Sequence, residues 1–370
     1  MNRDIRLLTI SYALWGVGEG LFLTLQPLYI EALGANPAQI GGVLSTLSLA
    51  AGLTLIPSGL LSDRLPRKPL MVSSWVCGLT GVLICILART WRGFIPGLVI
   101  YGFSAFGSPI CSAYLATASG EDSLERVLST VTAAYAAGTV LSPALAGYLA
   151  GMVGMRAVYL VAFGMFALSA AAVVSLSPQQ SSGRAGRPVE WRVLLGTRWV
   201  RFVSGIAWSG FAMYLVFPLS ANYLTHVRLL NTAQVGMLSS LGALGAMALT
   251  LLLGRVGAGK RRMAWLLGQS LVWVSSALLL WAPGVAGAAL AYLLRGGYLA
   301  IGPLVQANAG RFLGEANRGL ALGLMLTVAS GAQVLAAVVA GWLFGVQPMW
   351  PFLAALAAIP VGVWLTARVE

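Results

Sequence analysis

Gly59-Leu-Leu-Ser-Asp63-Arg64-Leu-Pro66-Arg67-Lys68 is the stretch on which the reading of this chain turns. An apolar run over residues 38–61 leads into it and another over 70–88 leaves it. Each is close to the ~20 residues that cross a bilayer as helix. The segment between them leaves room only for a turn, and Pro66 supplies one. It carries Arg64, Arg67 and Lys68 beside a single acid, Asp63. A short basic loop of this kind stays on the cytoplasmic side of a membrane.

The same pattern extends in both directions. The chain has 370 residues, 58% of them hydrophobic and 9% charged. Soluble domains carry about 25% charged residues, which excludes most soluble enzymes. Disorder needs the opposite composition. Apolar runs fall at 7–33, 38–61, 70–88, 94–118, 127–151, 155–176, 199–225, 233–253, 264–282, 285–312, 319–345 and 349–367. The expected fold is an all-α membrane protein of twelve transmembrane helices. The first run is too long for a signal-peptide core and is expected to stay as a span. The one long polar segment, Ser177 to about Arg198, divides the chain into an N-terminal half over 1–176, a linker over 177–198 and a C-terminal half over 199–370.

Net charge is +13, and its placement decides its meaning. With the linker and both termini on one side, that side holds 18 of the 23 basic residues. The positive-inside rule then makes both termini cytoplasmic, and the basic excess is topology rather than a nucleic-acid footprint. Cys77, Cys85 and Cys111 lie inside apolar runs, fit neither CxxC nor zinc spacing, and read as buried thiols. No metal site is expected.

The two halves echo each other. At an offset of 194 residues the pairs Gly102/Gly296, Pro109/Pro303, Gly120/Gly314, Glu121/Glu315, Ala146/Ala340, Gly147/Gly341 and Gly151/Gly345 coincide. Gln39-Ile-Gly41 and Gln234-Val-Gly236 match at 195. A parallel six-plus-six repeat is a transporter architecture, with a site near the midplane between the halves.

The stretch from Gly59 to Lys68 resembles the loop signature of the major facilitator superfamily, roughly G-x-L-[AS]-D-R-x-G-R-[KR], with Pro66 where that family usually has glycine. The resemblance implies the twelve-helix major facilitator fold. It implies that Gly59, Asp63, Arg64, Arg67 and Lys68 form a cytoplasmic latch, the aspartate facing a helix N-terminus of the other half. It further implies that spans 1, 4, 7 and 10 line the central cavity. Gly138-Thr-Val-Leu-Ser142-Pro143-Ala-Leu-Ala146-Gly147 is similar to the span-5 signature of proton-coupled drug antiporters, with Ser142 and Ala146 in place of two glycines. Gly138, Pro143 and Gly147 keep its packing positions. Gly254 to Lys260 nearly matches a P-loop, but Arg261 replaces the required hydroxyl residue and no strand precedes it. An ATP-driven pump is therefore not expected, and a proton gradient supplies the energy instead.

Glu19 sits at the centre of span 1, between Gly18 and Gly20. A carboxylate there costs a few kcal/mol and marks a functional site by default. Tyr12, Trp15, Glu19, Phe22, Gln26 and Tyr29 follow at steps of three and four, so they share one polar, aromatic face. Such a face belongs toward a cavity. A carboxyl there could carry a proton, pair with a cationic substrate, or only bond a neighbouring helix. Arg295 is the second intramembrane charge, with Tyr292, Gln306 and Tyr298 near its face. It could bind an anion bidentately, pair with Glu19, or serve structure alone. Weaker cavity candidates are Tyr101 and Ser108 in span 4, Trp208, Phe211 and Asn222 in span 7, and Gln333 in span 11.

A membrane-embedded enzyme would need paired acids for magnesium or a His/Cys cluster. Glu121, Asp122 and Glu125, the one acidic cluster, read as a solvated loop. The expectation is thus a secondary transporter with no cofactor, one chain in the inner (plasma) membrane, exporting an amphipathic compound in exchange for protons. The alternative is proton-coupled uptake of a small organic anion or sugar. Partners are the substrate, protons and the bilayer, and the chain acts as a monomer.

Overall fold

Inside a bilayer every backbone N–H and C=O must bond within its own segment, so each apolar run folds as helix. A computed structural model describes residues 2–119, 124–180, 196–257, 260–303, 305 and 318–367. Among them no strand occurs. The helices are α1 (Arg3–Thr24), α2 (Gln26–Ala32), α3 (Pro37–Arg64), α4 (Arg67–Leu87), α5 (Trp91–Phe103), α6 (Gly107–Ala118), α7 (Leu124–Val153) and α8 (Met155–Val174). They continue with α9 (Thr197–Tyr214), α10 (Ser220–His226), α11 (Thr232–Gly257), α12 (Arg261–Trp281), α13 (Gly284–Arg295), α14 (Gly297–Ala300), α15 (Arg318–Val346) and α16 (Trp350–Thr366).

Nine described segments are long and apolar enough to cross a membrane, and the shorter Trp350–Thr366 is a further apolar helix. The expected seventh and tenth spans are not among the nine: the seventh begins with Arg198 and Arg201, and the described part of the tenth is short. Between α9 and α10, residues 215–219 leave the helix, and Pro218 lies in the gap. The tenth span bends at Gly296, between α13 and α14. Spans 1 and 4 are also interrupted, the first at Leu25 before Pro27 and the second by a 3₁₀ turn over Ser104–Phe106. The helix count agrees with the twelve-span expectation.

Contacts divide the chain into two units. One comprises Met1–Gly34, Leu49–Ala185 and Asn231–Ser240; the other comprises Ala35–Ser48, Gly186–Leu230 and Leu241–Glu370. The first halves of α3 and α11 thus each join the unit opposite to the one their second halves join. In the first unit α1 packs on α7 and α8, and α4 packs on α5 and α8. In the second, α9 packs on α15 and α16, and α12 packs on α13 and α16. These are the same pairings at the repeat offset. The local ends repeat too. Asn36 and Gln39 exchange backbone-to-side-chain hydrogen bonds of 2.9 Å at the start of α3, and Asn231 and Gln234 do so at the start of α11. Each is a reciprocal cap on a helix N-terminus.

Close helix approach explains several glycines. A Cβ on Gly138 would lie 2.6 Å from the Ala13 carbonyl, so α7 can touch α1 only without one. A Cβ on Gly147 would lie 2.9 Å from the Gly236 Cα. Pro143 sits inside α7, buried beside Ser142. Gly138, Pro143 and Gly147 therefore occupy packing positions.

The core of the first unit gathers Ile5, Leu8, Met71, Trp75, Ile110 and Tyr114. Leu53, Leu141, Met152 and Trp281 are exposed, as expected of side chains that face lipid.

Candidate functional site

The glycines of α1 set the position of its carboxylate. Gly16 lies against the backbone of Tyr135, and Gly138 lies one turn away on α7. This contact brings the phenol of Tyr135 onto Glu19. The Tyr135 hydroxyl donates to Glu19 Oε2, and the Tyr101 hydroxyl donates to Oε1 at 2.8 Å. Hydrogen bonds to an ionised acceptor contribute about 1.5–3 kcal/mol each, so the two phenols hold the carboxylate strongly. Glu19 itself is half-buried.

Aromatic rings surround this contact. Trp15 stacks near-parallel on Tyr101 at 6.2 Å and meets Phe166 at 4.5 Å. Phe22 lies 4.8 Å from Tyr101, and Tyr12 meets Tyr135 edge-on at 6.5 Å. Beneath them, Trp75 Nε1 donates to Ser169 Oγ at 2.8 Å, and Ser169 and Ser11 bond each other. That network ties α1, α4 and α8 together. Gln26 is buried at the break after α1, where its Nε2 lacks a protein partner. Trp15 and Phe22 of the span-1 stripe thus pack on rings of neighbouring helices, and Phe22 is fully buried. Tyr135 was not legible as part of this cluster, although it is the one aromatic in an Ala-rich stretch of α7.

The second unit holds the other intramembrane charge. Arg295, at the end of α13, lies with its guanidinium carbon 3.8 Å from the Tyr292 ring centre and 4.7 Å from that of Phe217. Its Nη1 donates to Ser220 Oγ at 2.8 Å. Phe217 and Ser220 flank Pro218 at the break between α9 and α10. Tyr214 stacks parallel to Phe217 at 5.6 Å, and Tyr298 lies 5.0 Å from Phe217. Gln333 Nε2 donates to the Tyr298 hydroxyl at 2.9 Å, and Ser48 donates to Gln333 Oε1 at 3.2 Å. Tyr298 and Gln333 therefore stand in this cluster. Sequence reasoning missed Phe217, Ser220, Tyr214 and Ser48. The Phe-Pro dipeptide in span 7 was the available signal for the first two.

Other candidates stand apart from these clusters. Trp208 Nε1 donates to the Ala358 carbonyl at 2.9 Å, and Phe211 packs on Trp208. Ser108 is exposed and its carbonyl accepts from Ser112. Asn222 is buried in α10. Gln306 lies outside the described residues, as do the side chains of Asp63 and Arg64; Gly59 is known only as a position in α3. Arg67 is buried and bonds the Ala113 carbonyl at 3.0 Å, Thr117 at 2.6 Å and Gln179 at 3.3 Å. It thereby fixes the start of the linker to its own unit. Lys68 beside it is half-buried. Among the described residues no three of His, Cys, Asp and Glu gather as a metal site.

Two units of repeated helix pairings, most of their spans long and apolar, with ionisable residues near helix breaks, are the architecture of a membrane transporter. The profile of the Major Facilitator Superfamily matches residues 8–302, and the chain belongs to that family. It is a multi-pass membrane protein of that family. A stretch of 133 residues is 31% identical to the inner membrane transport protein YajR of Escherichia coli (strain K12), covering 33% of this chain and 29% of that protein. Another of 135 residues is 24% identical to an uncharacterised transporter of the same family, MJ1560 of Methanocaldococcus jannaschii, covering 36% of this chain and 35% of that one. These matches span about a third of each relative. The fold superposes on the crystal structure of the nucleoside transporter NupG with a TM-score of 0.81 and 14% identity, over 100% of this chain and 98% of that one. At that identity the likeness speaks for the fold alone.

Proposed function

We propose that the chain is a proton-coupled secondary transporter of a small amphipathic organic solute, with Glu19 as the proton site. The observation that carries this reading is the Glu19 carboxylate held by two phenols, Tyr101 and Tyr135, from two other helices. Ionised, the carboxylate accepts from both. Protonated, it gains an O–H donor and keeps acceptor lone pairs on both oxygens, so the two phenol contacts persist but lose their charge assistance. Proton binding therefore weakens the hold of α5 and α7 on α1, which is what coupling requires. The aromatic walls suit a substrate with apolar surface.

The leading version is efflux in exchange for protons, supported by the span-5 resemblance around Gly138, Pro143 and Gly147. Symport of a small organic anion or sugar is the second reading, and Arg295 favours it. The six-helix halves are 1–176 and 199–370, with 177–198 as the linker. Gly59, Asp63, Arg64, Arg67 and Lys68 form the cytoplasmic latch. Trp15, Phe22, Gln26, Tyr298 and Gln333 line the path. The protein works as a monomer in the inner membrane with both termini cytoplasmic, in keeping with the name of the Escherichia coli relative.

The test uses the full chain in liposomes that enclose a pH indicator, challenged in turn with amphipathic cations, organic anions and sugars. Protons moving against the solute support exchange, and protons moving with it support symport. Solute flux with no proton movement would overturn the reading.

A further inference from the structure

We propose that Arg295 and the rings around it form a recognition site for a small organic carboxylate with a flat apolar body. This names a substrate class for the transport reading above and rests on it.

The argument begins with the guanidinium. It has five N–H donors in one plane, and it cannot lose its charge in a protein. Its central carbon lies over the ring of Tyr292 at 3.8 Å and over that of Phe217 at 4.7 Å. The rings draw on the charge and not on the N–H edges, and a planar edge is the part that matches a carboxylate with two parallel bonds. One edge position is taken by Ser220 Oγ. The hydroxyl proton of Ser220 goes to the Phe217 carbonyl at 3.0 Å, so the serine must accept from Arg295 and cannot compete for an anion. The serine thus fixes the turn of the fork. Among the described residues no carboxylate bonds Arg295, so its charge is offset by ring faces and one hydroxyl.

The neighbours extend the same chemistry. The Tyr298 hydroxyl accepts from Gln333. Its own proton is therefore left to donate, and a second donor of the right kind stands in the cluster. Tyr214 and Phe217 lie parallel, at 9° and 5.6 Å, and make the surroundings of the cation aromatic and apolar. A carboxylate on Arg295 with its ring against these aromatics satisfies both parts. An ammonium would meet the guanidinium as a like charge. A sugar would leave the guanidinium edges without a charged acceptor.

An arginine that only stabilises helix packing would need no such arrangement. In this protein Arg228 is the example of that role. It places one nitrogen on the Leu279 and Ala282 carbonyls at 2.7 and 2.8 Å, and those close a helix end. Arg295 bonds no described backbone carbonyl.

The experiment measures binding of benzoate to the purified full-length protein by its rise in melting temperature, beside benzamide, benzylammonium and acetate. Benzoate is expected to stabilise, benzamide and benzylammonium to leave the melting temperature unchanged, and acetate to act more weakly than benzoate. Arg295→Gln should weaken benzoate at least about ten-fold. Arg295→Lys keeps the charge but loses the fork, so it should fold and still weaken benzoate by roughly ten-fold. Equal stabilisation by benzamide, or unchanged benzoate affinity in either variant, would overturn the site. The assay needs no gradient. Benzoate binding without proton movement in the liposome experiment would therefore remove the coupling reading and leave the site standing. Proton movement without benzoate binding would do the reverse.

Discussion

The two units share their helix pairings and invert their chemistry. In the first, spans 1 and 4 meet through a carboxylate and a phenol, Glu19 and Tyr101. The positions that correspond in the second are Tyr214, 195 residues after Glu19, and Arg295, 194 residues after Tyr101. The phenol has moved from span 4 to span 7, and a cation stands where the first unit has its phenol. The surroundings differ accordingly. The carboxylate is satisfied by hydroxyl donors aimed at both oxygens, a closed arrangement suited to taking and releasing a proton. The guanidinium lies over two aromatic rings and donates to one hydroxyl, Ser220, and its other N–H groups have no hydrogen-bond partner among the described residues. The repeated scaffold thus holds a carboxylate with two hydroxyl donors in one unit and a guanidinium among aromatic rings in the other.

The comparison breaks first at Glu19. Glu19→Gln is expected to reduce pH-gradient-driven transport by about 100-fold or more, because the titrating group is gone. The melting temperature should hold, since an amide can still bond both phenols. Liposome flux beside a melting curve checks both. Gly138→Leu comes next. It forces α7 away from α1 and should cost about 3 kcal/mol, the upper range for an overpacked core. It should lower the melting temperature and transport together. A variant that melts like wild type would mean that the Gly138 contact does not hold Tyr135 in place.

Tyr135→Phe sharpens the account further. It removes one donor from the carboxylate and leaves the ring, so transport should fall by roughly ten-fold, in line with one charged hydrogen bond. The pH dependence of transport should move as well, while stability hardly changes. An unmoved pH profile would leave Tyr101 as the only partner that matters. Gln179→Ala is the mildest change. It removes the side-chain bonds of Gln179 with Arg67 and with the Tyr114 carbonyl and leaves the backbone bond from Arg67 in place, at a cost of about 1 kcal/mol, seen as a small drop in melting temperature with substrate affinity intact.

The sequence carried more of the scaffold than of the site. Helix ends fell within a few residues of the apolar runs, because twenty apolar residues in lipid have no alternative to helix. The interruptions near Leu25 and Leu215–Leu219 were not legible, since hydropathy averages composition and ignores which backbone bonds are made. Pro27 and Pro218 were the only marks. Glu19 and Arg295 stood out because a charge in an apolar run is costly wherever it lies. Tyr101 stood out only as a weaker cavity candidate and Tyr135 not at all, because they reach Glu19 from 82 and 116 residues away. Only tertiary packing brings such residues together. Arg67 was legible as part of a loop motif, but its bonds to Thr117 and Gln179 depend on where α6 ends and the linker begins.

The most direct test of the central claim is proton flux in liposomes holding the wild type or Glu19→Gln, driven by a solute that the wild type carries. The account predicts that the solute moves protons through the wild type and that the variant still exchanges solute across the membrane but moves no protons. Proton flux persisting in Glu19→Gln would contradict it.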